Sequence, residues 1–156
     1  LQDHSEVTVK YHTATHLIHS ALRKVLGKEV SQKGSNITGK RLRFDFSHPQ
    51  AVTKDELKQV EDQVNKWIAV DYPVTKISMQ KQSALKAGAL AFFVEKYPEE
   101  VTVYTVGLDE ENDWVSKELC GGPHVESTGK IGSIEIFKEK AVSAGVRRVY
   151  ARVRPE

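Results

Sequence analysis

Residues 12–26 read His-Thr-Ala-Thr-His-Leu-Ile-His-Ser-Ala-Leu-Arg-Lys-Val-Leu, and Gly27 follows. At about 100° per residue, Ile18, Ala21, Leu22, Val25 and Leu26 share one broad face, as in an amphipathic helix laid on a core. Gly27 suits a left-handed helix stop. Beyond it, Gln32-Lys33-Gly34-Ser35-Asn36 and Thr38-Gly39-Lys40 have the composition of turns. Residues 41–46, Arg-Leu-Arg-Phe-Asp-Phe, then alternate polar with apolar, which predicts a half-buried strand with Leu42, Phe44 and Phe46 facing inward.

The rest of the chain repeats this mixture. Thr53 with Glu56 three residues on is a capping box. Leu57, Val60, Val64, Trp67 and Ile68 follow at helical spacing, and Pro73 ends that helix. Residues 74–79 read as a short strand. Residues 83–97 are helix-like but interrupted at Gly88. Two β-rich stretches, 101–106 and 114–119, flank an acidic loop at 109–113. Residues 132–142 and 146–153 are β-rich and meet through Ser143-Ala144-Gly145, a hairpin turn. Helices and strands alternate without a regular βαβ rhythm. The expected class is α+β, with helices packed on a largely antiparallel sheet.

Composition narrows the possibilities. A chain of 156 residues suits one domain, taken as 1–156. With 39% hydrophobic and 28% charged residues it can build a core. The net charge of +2 is too small to mark a nucleic-acid binder by itself. The single cysteine excludes an internal disulfide framework and fits a reducing compartment, the cytoplasm. No apolar run approaches the roughly 20 residues that span a bilayer, so no membrane partner is expected. No signal segment opens the chain. Its first residue is Leu1, which points to a piece of something longer.

Two pairs carry the chemistry. His12 and His16 sit four apart on the first helix, so both imidazoles project from one side, and His19 lies on that side too. This histidine stripe borders the apolar stripe, which places it at the edge of the core. Cys120 and His124 repeat the spacing across Gly121, Gly122 and Pro123, where a tight loop replaces a helix. A His-x3-His pair alone is common on helix surfaces. Joined to a cysteine and a third imidazole on a glycine-rich loop, it makes a nitrogen and sulfur set that a borderline-soft ion such as zinc takes tetrahedrally. The Glu of His-Glu-x-x-His proteases is missing, so the set indicates a metal more specifically than a reaction. Basic residues cluster separately, with Lys33, Lys40, Arg41 and Arg43 early, and Lys130, Lys138, Lys140, Arg147, Arg148, Arg152 and Arg154 late. Charge alone leaves open whether these are solvated strand faces or contacts to phosphate.

The motifs His12 to His19, Gln32 to Ser35, Arg41 to Phe46, Gly88 to Phe93 with Glu95-Lys96-Tyr97, Cys120-Gly121-Gly122 with His124, and Ala144 to Arg148 closely resemble the editing domain of alanyl-tRNA synthetase. They run in one consistent order over about 12–150. The resemblance implies the threonyl/alanyl-tRNA synthetase editing-domain fold, the second additional domain, shared with free-standing alanyl-editing proteins. It also implies hydrolysis of mischarged aminoacyl-tRNA, chiefly seryl- and glycyl-tRNA(Ala), at the acceptor end. The family's zinc ligands fall on His12, His16, Cys120 and His124, and its amino-acid pocket positions on Thr15 and Gln32. His19 has no ligand counterpart and is expected to be structural or to support a ligand. Lys33, Arg41, Arg43, Arg147 and Arg148 become candidates for phosphate contacts, unless Asp45 holds one of the arginines in a structural pair. Pro123 replaces the usual alanyl-type Thr and resembles the threonyl type, while Val94 replaces a Gly. The expected protein is an aminoacyl-tRNA deacylase excised from a longer synthetase. A free-standing trans-editing protein and a non-catalytic zinc-stabilised tRNA-binding module are the alternatives.

Overall fold

The structure is a computed structural model that describes residues 6–86, 89, 99–107, 114–120 and 123–154. Its first helix, α1 (Glu6–Leu26), begins before the periodic stretch that starts at His12. Glu6 in the first turn complements the positive end of the helix dipole. The face that periodicity marks is the one that packs: Ile18, Ala21 and Leu22 are buried with Tyr11, Ala14 and Leu17, and Val25 and Leu26 lie partly buried against them. Gly27 closes the helix with a positive φ of 131°, its N–H donating to Arg23 O at 3.0 Å.

The next segment departs from expectation. Residues 32–36, turn-like in composition, form most of strand β1 (Gln32–Ile37), paired antiparallel to β2 (Leu42–Ser47) through the turn at Thr38 to Lys40. β1 is an edge strand, so its side chains need not pack on both faces. The backbone ladder to β2 outweighs the turn preference of Gly34, Ser35 and Asn36, and a register shift between Gln32 and Gly34 absorbs the irregularity. Leu42, Phe44 and Phe46 of β2 are fully buried, as alternation predicts. Burying each such side chain contributes about 1.5–3 kcal/mol.

Helix α2 (Lys54–Val70) carries the expected capping box. The Glu56 N–H donates to Thr53 Oγ1 at 3.1 Å, and the Thr53 N–H donates to Glu56 Oε1 at 3.0 Å. Val60, Val64 and Ile68 are buried. The stop is Asp71, in the left-handed region at φ 62°, and not Pro73 two residues later. Asp71 holds this conformation while its Oδ1 accepts the Gly129 N–H at 2.7 Å, which ties the helix end to the 3-10 turn Thr128–Ile131.

The strands form two antiparallel sheets, in keeping with the expected α+β class. β6 (Ile134–Ser143) and β7 (Val146–Val153) are joined through Gly145, φ 74°, and complete a four-stranded sheet in the order β1-β2-β7-β6. β3 (Val74–Gln80), β4 (Glu100–Gly107) and β5 (Trp114–Leu119) form a three-stranded sheet in that order. The main core joins α1, α2 and the inner face of the larger sheet, while Ala84, Ala89, Val101, Val103 and Leu119 form a smaller one. A short helix, α3 (Lys81–Lys86), covers the start of the segment expected to be helical at 83–97, most of which lies outside the described residues. The acidic loop at 109–113, Gly121, Gly122 and Val94 also lie outside them. Helix α1 touches both sheets, packing on β2 of one and β5 of the other. That bridging position builds the site.

Candidate metal centre

The i, i+4 spacing on α1 stacks His12 above His16 on the side facing β5. The chain leaves β5 at Cys120, whose N–H still donates to Thr102 O at 3.1 Å, so the cysteine backbone is an extension of the β4–β5 ladder. The chain then returns at Pro123 and is stitched to the helix. His12 Nδ1 donates to Pro123 O at 2.9 Å. Thr13, fully buried, places Oγ1 2.9 Å from His124 Nδ1 and accepts the Val125 N–H at 3.1 Å. A helix and a loop more than a hundred residues apart in sequence thereby present four donors to one point. The ligand atoms of His12, His16, Cys120 and His124 all lie within 4.8 Å of one another.

The rings are packed closely. His12 and His124 stack with centroids 4.2 Å apart, and His16 meets His124 edge-on at 4.4 Å. Tyr104 of β4 lies 4.2 Å from the other side of His124. The outer contacts assign the ring nitrogens. A carbonyl oxygen only accepts, so His12 Nδ1 donates to it, and Nε2 is the nitrogen that faces Cys120 Sγ, 3.2 Å away. Protonation of His124 at Nδ1 lets it donate to Thr13 Oγ1, whose own proton goes to Val9 O at 3.4 Å. His124 Nε2 is then a buried acceptor with no hydrogen-bond partner among the described residues. An orphaned buried nitrogen is costly unless something fills the gap.

Charges in the site are strongly biased. Burial alone would raise the Cys120 thiol, but the imidazoles of His12, His124 and His16 pull it down to about 3, so it is a thiolate at neutral pH. Burial, with His16 and His12 nearby, holds His124 down at about 4, so it is neutral there despite the thiolate. His16 is raised to about 10 against its burial, by Glu118 and then Cys120. A thiolate, three imidazoles and an unfilled lone pair fit a divalent ion. Donors on an ion with bonds of about 2.0–2.3 Å lie roughly 3.5 Å from one another, so ligand atoms within 4.8 Å of one another need to close by roughly 1.3 Å at most.

The other candidate residues are placed less tightly. Thr15 is buried beside His16, and its hydroxyl donates back to Tyr11 O at 2.8 Å. Gln32 lies on β1, with Nε2 donating to Ser35 Oγ at 3.2 Å. Lys33 is exposed on the same edge strand. Arg41 donates to Asn36 Oδ1 at 2.8 Å, and Arg43 Nε lies 3.7 Å from Asp45. Arg148 holds Asp45 in a two-pronged pair at 2.7 and 3.0 Å, the structural pairing considered for that aspartate. Arg147 grips Glu139 in the same manner at 2.7 and 2.9 Å. The histidine stripe is also deeper than a cleft edge: His16 and His19 are buried and only His12 is partly open.

Sequence reasoning passed over three residues that the structure puts at the centre: Thr13, Tyr104 and Glu118. Glu118 had a readable signal, since residues two apart on a strand share a face and Glu118 stands two before Cys120. Thr13 and Tyr104 look like any helix threonine and strand tyrosine.

Known proteins agree with this architecture. Residues 101–150 match the family described as threonyl and alanyl tRNA synthetase second additional domain. Over 151 residues, 97% of the chain, it is 56% identical to an alanine–tRNA ligase of Treponema denticola, of which it spans 24%. Over 144 residues, 92% of the chain, it is 53% identical to an alanine–tRNA ligase of Thermus thermophilus, of which it spans 16%. Its helices, antiparallel sheets and sequence similarity mark the chain as a domain related to the threonyl and alanyl tRNA synthetase second additional domain, on the alanyl side.

Proposed function

We propose that this domain proofreads as part of an alanine–tRNA ligase in the cytoplasm, hydrolysing the ester that joins serine or glycine to tRNA(Ala). The observation that carries this reading is the convergence of His12, His16, Cys120 and His124, in a chain so similar over nearly its whole length to alanine–tRNA ligases. These four side chains would hold zinc. Zinc bound there supplies a positive centre that anchors the substrate or polarises a reacting oxygen.

The chain's own groups supply selectivity and grip. The Thr15 proton is committed to Tyr11 O, so Oγ1 offers lone pairs, and a seryl hydroxyl meets it as a donor. Alanine has no hydroxyl and would leave the pocket's polar groups desolvated and unpaired. Gln32 is the second pocket residue in this reading. Lys33, Arg41, Arg43, Arg147 and Arg148 meet phosphates of the single-stranded acceptor end. Arg147 and Arg148 must loosen Glu139 and Asp45 to do so, which keeps the grip weak and salt-sensitive.

The test is a deacylation assay with the purified chain on seryl-, glycyl- and alanyl-tRNA(Ala). The first two should be hydrolysed and the third spared. Cys120→Ala should lose both bound zinc and activity, because the anionic ligand is gone. Thr15→Val should narrow the seryl-to-alanyl ratio by about 1–3 kcal/mol with zinc retained. tRNA binding with an intact ester would instead show a zinc-stabilised binding module. Faster cleavage of seryl-tRNA(Thr) would indicate a threonyl-type pocket shaped by Pro123.

A further inference from the structure

Glu118 is almost completely buried on β5, at 4% exposure, where an apolar side chain would pack at lower cost. Its two oxygens face two histidines of α1. Oε2 lies 2.8 Å from His16 Nδ1, and Oε1 lies 2.8 Å from His19 Nδ1. Two lone pairs cannot approach to that distance without repulsion, so each contact needs a proton on Nδ1; the one to His19 is a hydrogen bond, and the one to His16 is a close ion-pair contact whose angle lies outside hydrogen-bond geometry. For His16 this leaves Nε2, on the side of Cys120, as the nitrogen that a metal would take in place of a proton. His19 is buried at 1% exposure and three residues from His16, and it takes the second oxygen. The carboxylate is thereby held at both ends and cannot rotate away from His16.

The pattern completes a set. His12 is oriented by the Pro123 carbonyl and His124 by Thr13, both neutral partners. His16 alone of the three is oriented by a charged group. We propose that Glu118, braced by His19, is a positioning residue that fixes the His16 tautomer and aims Nε2 at a divalent metal. This rests on the reading of His12, His16, Cys120 and His124 as a metal site. It adds that the buried acid and a fourth histidine belong to the same device, although neither is a ligand.

The test measures metal and tautomer in the 156-residue chain. Zinc affinity is measured by chelator competition for wild type, Glu118→Gln, Glu118→Asp and His19→Gln. Cobalt(II) serves as the spectroscopic probe, and imidazole nitrogen NMR reads the His16 tautomer in the zinc-loaded wild type. Wild type should bind one zinc through His16 Nε2, with the proton on Nδ1. Glu118→Gln should weaken zinc about 10–100-fold, the range for a lost partner of a metal-bound histidine, and should shift the cobalt spectrum. Glu118→Asp, which keeps the charge, should recover part of the affinity. His19→Gln should fall between wild type and Glu118→Gln. Wild type that takes up no zinc or cobalt would overturn the metal reading, and the proposal with it. Wild-type zinc binding through His16 Nδ1 would overturn the proposal alone, as would unchanged affinity and spectrum in a Glu118→Gln protein that folds. If Glu118→Gln does not fold, the wild-type tautomer and the Glu118→Asp affinity decide.

Discussion

The carboxylates of Glu118 and of Asp45, Glu135 and Glu139 make similar pairs in very different surroundings. Glu118 lies inside, between His16 and His19 of α1. The others lie on the four-stranded sheet with arginines of β7: Asp45 with Arg148, Glu139 with Arg147, and Glu135 with Arg152. Water reaches the arginine of each sheet pair and salt screens it, although Asp45 itself is buried, so these pairs are weaker supports than the interior one. Water hardly reaches Glu118, so its partners must satisfy it completely or the fold suffers. In the proposed reading the interior pair aims side chains, whereas the arginines of the sheet pairs are the cations that a phosphate would recruit.

Breaking the interior pair should have the largest effect. Glu118→Ala should lower unfolding stability by about 3–5 kcal/mol, because two buried histidines lose their common partner. Urea denaturation of the metal-free chain measures this. A loss as small as that of a surface variant would erase the distinction between the two regions.

Thr13 tests whether a neutral buried partner behaves like the charged one. Thr13→Val keeps the shape but strands the Val125 N–H and His124 Nδ1. A loss of about 1–3 kcal/mol is expected by the same denaturation. Zinc affinity should also fall as the loop loosens.

On the sheet, Arg147→Gln with Arg148→Gln should weaken tRNA binding and flatten its dependence on salt concentration, with zinc content unchanged. For Arg147 the stability change should be about 1 kcal/mol or less. Filter binding across a salt series reads the first effect. Binding indifferent to both substitutions would put the RNA elsewhere.

The smallest effect concerns acid. Burial alone would raise Glu139, but the Arg147 guanidinium and the Val52 N–H bring it below the usual carboxylate range. A folded-state value below the unfolded one gives stability that is complete above the unfolded pKa and is lost as pH falls through the folded one. Glu139→Gln should flatten part of the decline in melting temperature below about pH 5. Parallel curves for the two proteins would mean that this pair contributes nothing.

Local signals were readable where neighbours in sequence decide the outcome. The apolar face of α1, the Thr53–Glu56 capping box, the inward Leu42, Phe44 and Phe46, and the turn at Gly145 follow from spacing and backbone preference within a few residues. β1 was misread because its strand character comes from hydrogen bonds to β2, and Gly34, Ser35 and Asn36 have no strand preference of their own. The end of α2 was misplaced because a distant backbone N–H, from Gly129, secures Asp71 in its left-handed turn.

The site divides in the same manner. Residue order alone supplied the donor types and put His12 and His16 on one side of a helix, since helical geometry fixes what lies four residues on. That the loop after β5 docks on that helix through Thr13, that His12 and His124 turn Nδ1 to Pro123 O and Thr13 Oγ1, and that Glu118 lies between His16 and His19 came from tertiary contacts alone. Those outcomes depend on where two sheets meet α1, and contacts between distant segments leave no periodic trace in either one.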